Sequence, residues 1–297
     1  MWLPLQLLSA TCWALVNVFD SVLVRQYEKR PSILQWHQSL FTLLTLAVLG
    51  LLFPIRTEWA LSLFIVGIIS YFGDRLLFLA LDRVDVSVSH SAWAMLSIYL
   101  SLGGMIVFHE RWSALQMCGA LLVFMGIGLL SLWGKHIGSV RNFVLLMLFP
   151  LLYVPFYLLQ KHVITSGEGI FVTFFWLILG REIFAFLIPF FRPQLRRRAF
   201  AAFSDHGYPF VFLNAIVIFF FFAGTLLTAK AYETGPISLV SVVSNIQPFL
   251  VLLMAWILLR ILPKFASREL LTAQAVGVKI VSFLIVFAGL ALLALPQ

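Results

Sequence analysis

The sequence predicts an all-α integral membrane protein of about ten transmembrane helices, arranged as two inverted five-helix repeats. Composition, the spacing of the charges and internal self-similarity predict it. Of 297 residues, 62% are hydrophobic and 11% charged, with a mean hydropathy of +1.03, whereas soluble domains are about one quarter charged. Of the 20 Lys and Arg, all but Arg75, Arg181 and Lys279 fall in short gaps between apolar runs. Those runs are long enough to cross a bilayer.

Reading each run to its charged, Pro or Gly break gives spans near 3–24, 33–53, 59–81, 86–108, 113–133, 142–160, 169–191, 208–229, 237–259 and 273–295. The first run has no basic segment before it and is read as a helix, not a cleaved signal. The longest gap, Arg192 to Gly207, is the one expected to hold surface structure of its own. Both cysteines, Cys12 and Cys118, fall inside spans, where they read as packing residues. A net charge of +8 spread over many loops forms no single basic face, so it points to anionic lipid and not to nucleic acid.

Orientation follows from the loop cations. Connections after odd-numbered spans carry thirteen: Arg25, Lys29, Arg30, Arg83, Lys135, Arg141, Arg192, Arg196, Arg197, Arg198, Arg260, Lys264 and Arg268. Connections after even-numbered spans carry four: Arg56, Arg111, Lys161 and Lys230. The odd connections are therefore expected in the cytoplasm and both termini outside it, in a cell inner (plasma) membrane.

The halves, 1–134 and 140–297, repeat one another. At an offset of 151 residues Gly73 matches Gly224, Leu76 matches Leu227, Ala80 matches Ala231 and Ser87 matches Ser238. Gln116 and Gly119 match Gln274 and Gly277 after an insertion, and Trp13 lies opposite Tyr153. Five helices per half is an odd number, so the second copy is inverted, as in many secondary transporters.

These residues resemble the EamA-like branch of the drug/metabolite transporter superfamily. The resemblance rests on Trp13 and Asn17, on Ala80-Leu81 with Ser87, and on Glu110 followed by Ser113, Gln116, Gly119 and Gly126. In the second half it rests on Ala229 and Ala231, Gly235-Pro236, Pro248, and Gln274 with Gly277. It implies transport of small metabolites by alternating access. It also implies cytoplasmic termini, against the loop charges, which are followed here because they belong to this chain. Glu110 has no counterpart in the second half.

Ionisable groups inside hydrocarbon cost about 2.5–3.5 kcal/mol each on insertion scales and mark cavities or internal pairs. Arg181 and Glu182 lie mid-span, and Asp74 and Arg75 lie two thirds through the third span. Neighbours on a helix point about 100° apart, so each is expected to find its partner on another helix, Asp74 with Arg181 for example. An ion-pair network that only fixes packing is as good a reading as a substrate or proton site. Pro248 in the ninth span removes a bond to the Ser244 carbonyl, beside Asn245 and Gln247. A kink flanked by amides suits a substrate-lining segment, and Pro155 is a second candidate hinge. Asn17 and Trp13 complete the candidate set. Asp20 is expected to pair with Arg25, while His37, His90 and Lys279 read as interfacial, and most of Phe219 to Phe222 must face lipid or neighbouring helices.

Enzyme motifs are lacking. His109-Glu110 has no second His at helical spacing, and no P-loop, nucleophile elbow, metal-ligand set or cofactor fingerprint occurs. The function expected is a secondary transporter, exporter or exchanger, of a small polar or amphipathic metabolite. A flippase for a lipid-linked sugar or phosphate, and a non-transporting scaffold, are the alternatives. The partners expected are that metabolite, the bilayer, protons through coupling or exchange, and a second copy in a homodimer.

Overall fold

The structure, a computed structural model, describes residues 2–28, 30–81, 86–133, 140–261 and 273–294. Among them all regular structure is helical, with no strand. The helices are α1 (Trp2–Gln26), α2 (Pro31–Leu52), α3 (Ala60–Leu81), α4 (Val86–Val107), α5 (Ala114–Trp133), α6 (Val140–Leu151), α7 (Val154–Thr165), α8 (Ile170–Leu187), α9 (Pro193–Thr234), α10 (Ile237–Val243), α11 (Gln247–Ile261) and α12 (Ala273–Ala294). Among the described residues six helical stretches are long and apolar enough to cross a membrane, and four shorter apolar ones accompany them. Large apolar side chains such as Leu51, Leu61, Ile65, Ile106, Leu121 and Phe287 lie on the outside, as lipid-facing residues do and a soluble surface does not. This is a multi-pass membrane protein.

Helices α1 to α5 form where the first five apolar runs predict helix. The sixth does not stay whole. It breaks into α6 and α7 at Leu152-Tyr153, because Pro155 in the first turn of α7 has no N–H to give and crowds the carbonyl four residues back. The expected loop 192–207 is instead the first third of α9, which bends at Gly207, where φ is 62°. That region of backbone space favours glycine. The loop's arginines hide a helical pattern: Ala199 and Ala202 are buried against Ile33 and Trp36. The ninth span also breaks, with a 3-10 turn at Ser244–Ile246 between α10 and α11.

Packing follows glycines, as expected where lipid removes the hydrophobic drive between helices and close van der Waals approach replaces it. A Cβ on Gly67 of α3 would strike the Leu177 carbonyl of α8, and one on Gly180 would strike the Phe64 carbonyl. Backbones of α5 and α12 meet likewise: a Cβ on Gly119 would lie 2.7 Å from the Gly289 oxygen, and one on Gly289 2.6 Å from the Gly119 oxygen. Gly277, matched to Gly119 in sequence, faces open space. Further pairs are α1 with α9, α3 with α6 and α7, and α4 with α10.

The bundle has two distinguishable ends. At one, Trp2 packs on Gly235, Thr57 donates to Glu168 at 2.8 Å, and Lys161 meets Glu110. The 25 residues of α1 run roughly 37 Å from there to the other end, where Tyr27 packs on His206. Arg30 and Arg192 flank the helices of that second end.

Candidate functional site

The crossing of α3 and α8 at Gly67 and Gly180 places Asp74, two turns further along α3, beside Arg181. The Arg181 Nε stands 3.6 Å from an Asp74 oxygen, and Nη2 and Nε lie 2.7 and 2.8 Å from Glu182 Oε1. The second Glu182 oxygen accepts the Ser39 hydroxyl of α2 at 2.6 Å. Tyr153, at the break between α6 and α7, donates its hydroxyl to Asp74. The guanidinium sits 4.8 Å over the Phe221 ring of α9, a cation–π contact, and Phe221 takes Trp13 of α1 edge-on at 5.5 Å. Five helices and the α6–α7 junction thus meet around one guanidinium and two carboxylates. Glu182 is buried, whereas the Arg181 and Asp74 side chains keep 20% and 17% of their surface accessible.

Sequence neighbours pair here after all. The Arg181 side chain is long enough to curl back onto Glu182, which corrects the expectation that each would look only to another helix. Asp74 does meet Arg181, as expected. Arg75 turns away and donates to Ser32 at 2.7 Å. Asn245 is buried and donates to Ser97 of α4 at 2.9 Å, an interhelical amide bond outside this cluster. Asn17 and Gln247 are half-buried, and no hydrogen bond to either side chain occurs among the described residues. Asp20 accepts from Gln38 at 2.6 Å, while the Arg25 side chain lies outside the described ones. So do those of Pro248, His90 and Lys279.

The Ser244 carbonyl expected to be left free by Pro248 is not free. The Gln247 N–H reaches it across the 3-10 turn, so tightening the helix restores the bond that proline removes. His37 lies fully buried among Trp36, Phe203 and Phe210, its Nδ1 2.8 Å from the Ile33 carbonyl.

Tyr153, Ser39 and Phe221 escaped the sequence reading as site residues. One signal was present for Tyr153: it is the repeat partner of Trp13. Each of the two aromatics packs on a glycine. A Cβ on Gly73 would lie 2.7 Å from the Tyr153 ring, and one on Gly224 3.1 Å from the Trp13 ring.

A second polar centre lies at the end of the bundle marked by Trp2. The chain leaves α4 in a turn with His109 at φ 53° and the Glu110 N–H on the Gly104 carbonyl at 3.2 Å, a Schellman-type ending. This sends the Glu110 carboxylate back over Gly104, where a Cβ would lie 2.5 Å from it. There it accepts the backbone N–H of Ile237 at 2.8 Å and of Ser238 at 3.1 Å, the Ser238 hydroxyl, and Lys161 at 2.6 Å. A carboxylate at a helix N-terminus satisfies orphan donors and complements the dipole. Burial alone would push the Glu110 carboxyl up, but the Lys161 ammonium and the Ser238 donors hold it below its ordinary range.

Among the described residues no three His, Cys, Asp or Glu side chains gather as a metal site requires.

Residues 1–132 match the EamA-like transporter family. That family belongs to the drug/metabolite transporter superfamily, whose members are membrane transporters. The matched stretch contributes Trp13, Ser39 and Asp74 to the central cluster. A solved crystal structure superposes with a TM-score of 0.68 over 99% of this chain and 96% of its own, at 16% identity. At that identity the likeness shows the fold alone. None of the curated proteins matches the chain significantly.

Proposed function

We propose that the protein is a secondary transporter of a small polar or amphipathic metabolite, working by alternating access between two inverted five-helix halves. The observation that carries the reading is the central cluster. One guanidinium faces two carboxylates at the junction of the EamA-like half with α8, α9 and the α6–α7 break. A purely structural pair would balance its charges, whereas this set is complete only with a proton or a cationic group. The residual accessibility of Asp74 and Arg181 leaves room for either. The repeat-related contacts Gly73 with Tyr153 and Gly224 with Trp13 support the inverted halves. Pro155 and Pro248, at the restarts of α7 and α11, are the hinges of the motion. In this reading the arginine-rich end faces the cytoplasm and the termini face away from it.

The test uses the purified protein in proteoliposomes. A thermal-shift screen over amino acids, amines, nucleosides and phosphorylated metabolites selects compounds that bind the native state. Counterflow of the selected compound, and acidification or alkalinisation of the lumen on its addition, then report transport and coupling. Asp74→Asn is expected to remove the pH dependence while the protein stays monodisperse. Arg181→Lys, which keeps the charge and loses the fork, is expected to impair transport more than folding. Counterflow unaltered in both variants would sink the assignment of the cluster. No flux of any binder in sealed vesicles would favour a scaffold, whose ion pairs serve packing alone.

A further inference from the structure

At the arginine end a cavity of about 340 Å3 opens between the start of α2 and the start of α9, lined by Arg30, Ser32, Arg192, Gln194, Leu195 and Arg198. Its three guanidinium groups have no carboxylate partner among the described residues. Glu28 turns an oxygen to the Arg30 backbone N–H instead, at 2.9 Å. Arg75, reaching up from α3, donates to Ser32 at 2.7 Å and braces the wall from behind.

The two helices that frame the cavity present it with their positive ends. In each, the N-cap is an arginine, Arg30 for α2 and Arg192 for α9, with no side-chain cap and no acidic residue in the first turn. Helix N-termini favour Asp, Ser, Thr or Asn at the cap and negative charge nearby. Here both termini carry the opposite charge, and both face the same space. Such an arrangement concentrates positive potential on the cavity and favours an anion there. Ser32 and Gln194 add a hydroxyl and an amide donor, and guanidinium forks match the spread oxygens of a phosphoryl group.

We propose that this cavity is a binding site for a phosphate-bearing anion. The same chemistry could reach it as the headgroup of an anionic phospholipid, since basic pockets between helices at a membrane surface suit such headgroups, or as a soluble phosphoryl compound. The site is separate from the central cluster and does not depend on the transport reading.

The experiment compares thermal stability of the full chain in neutral detergent with and without inorganic phosphate at constant ionic strength. A parallel arm uses nanodiscs of phosphatidylcholine alone or mixed with phosphatidylglycerol. Two double variants accompany wild type: Arg192→Gln/Arg198→Gln inside the cavity, and Arg196→Gln/Arg197→Gln on the same turns of α9 but outside its lining. Arg30→Gln replaces the first should it not be monodisperse. Wild type is expected to gain stability saturably in one arm, with at least a tenfold weaker response in the cavity variant and an unaltered response in the other. A response to phosphate identifies a soluble phosphoryl ligand, and one confined to phosphatidylglycerol discs identifies a lipid headgroup. Wild type unmoved in both arms, or both double variants equally weakened, overturns the site.

Discussion

Where the connections 108–113 and 235–236 meet, the N-terminus of α10 is closed by a carboxylate; at the opposite end, the N-termini of α2 and α9 are flanked by arginines. The first centre is saturated. Glu110 takes donors from Ile237, Ser238 and Lys161, and Lys161 gives a further bond to the Gly235 carbonyl at 3.1 Å. The second leaves three guanidinium groups around a cavity. Identical backbone chemistry, four orphan N–H groups per helix start, is finished by the protein itself in one place and left to a ligand in the other. The difference teaches where the fold is fastened and where it is receptive.

The largest effect should come from breaking the fastened end. Glu110→Ala strands a buried lysine and uncaps α10, and breaking one partner of a buried pair costs about 3–5 kcal/mol. Its unfolding midpoint in detergent should fall sharply, and Glu110→Ala/Lys161→Met should recover part of the loss. An Ala variant as stable as wild type would deny Glu110 this role. Gly104→Ala, which forces a methyl against the same carboxylate, should cost about 1–3 kcal/mol, as overpacking does.

A smaller effect appears on acidification. The folded Glu110 carboxyl lies below its ordinary value of 4.5, so its contribution is complete above that value. It is lost as pH falls through the lower folded value. The acid limb of a stability profile should flatten in Glu110→Gln, whereas Arg192→Gln should leave it unaltered. The smallest effect has the opposite sign. Arg192→Ser replaces a mismatched N-cap with a favoured one and should raise stability by about 1 kcal/mol when no anion is bound.

The sequence displays the spans, because apolar runs and loop cations are local, and it singles out Asp74, Arg181 and Glu182, because charge inside hydrocarbon is conspicuous. Partners are another matter. The sequence does not say that Arg75 meets Ser32, which lies on another helix, or that Asp74 meets Arg181, which depends on the α3–α8 crossing at Gly67 and Gly180. The helix at 193–206 hides for a related reason: its arginines read as loop, and only Ala199 and Ala202, small enough to nest on Trp36, reveal a packed face. Pro248 was visible as a breaker, yet the 3-10 turn that heals the break was not. The bond made by Gln247 is a response of the backbone and not a residue type. Glu110 entered as a family feature. Its role as a cap emerges only when α10, over 120 residues later, is brought to it.

The contact between α5 and α12 carries a consequence in time. Backbones touch at Gly119 and Gly289, and a Cβ at Gly126 would lie 2.6 Å from Val286. Helix α5 is made early, yet the surface it is shaped to meet is α12, which leaves the ribosome only after α6 to α11. Until then its glycine groove can face only lipid or the insertion machinery. Synthesis must therefore pass α12 before the seam can shut, and a chain truncated ahead of Ala273 would enter the bilayer with that seam still open.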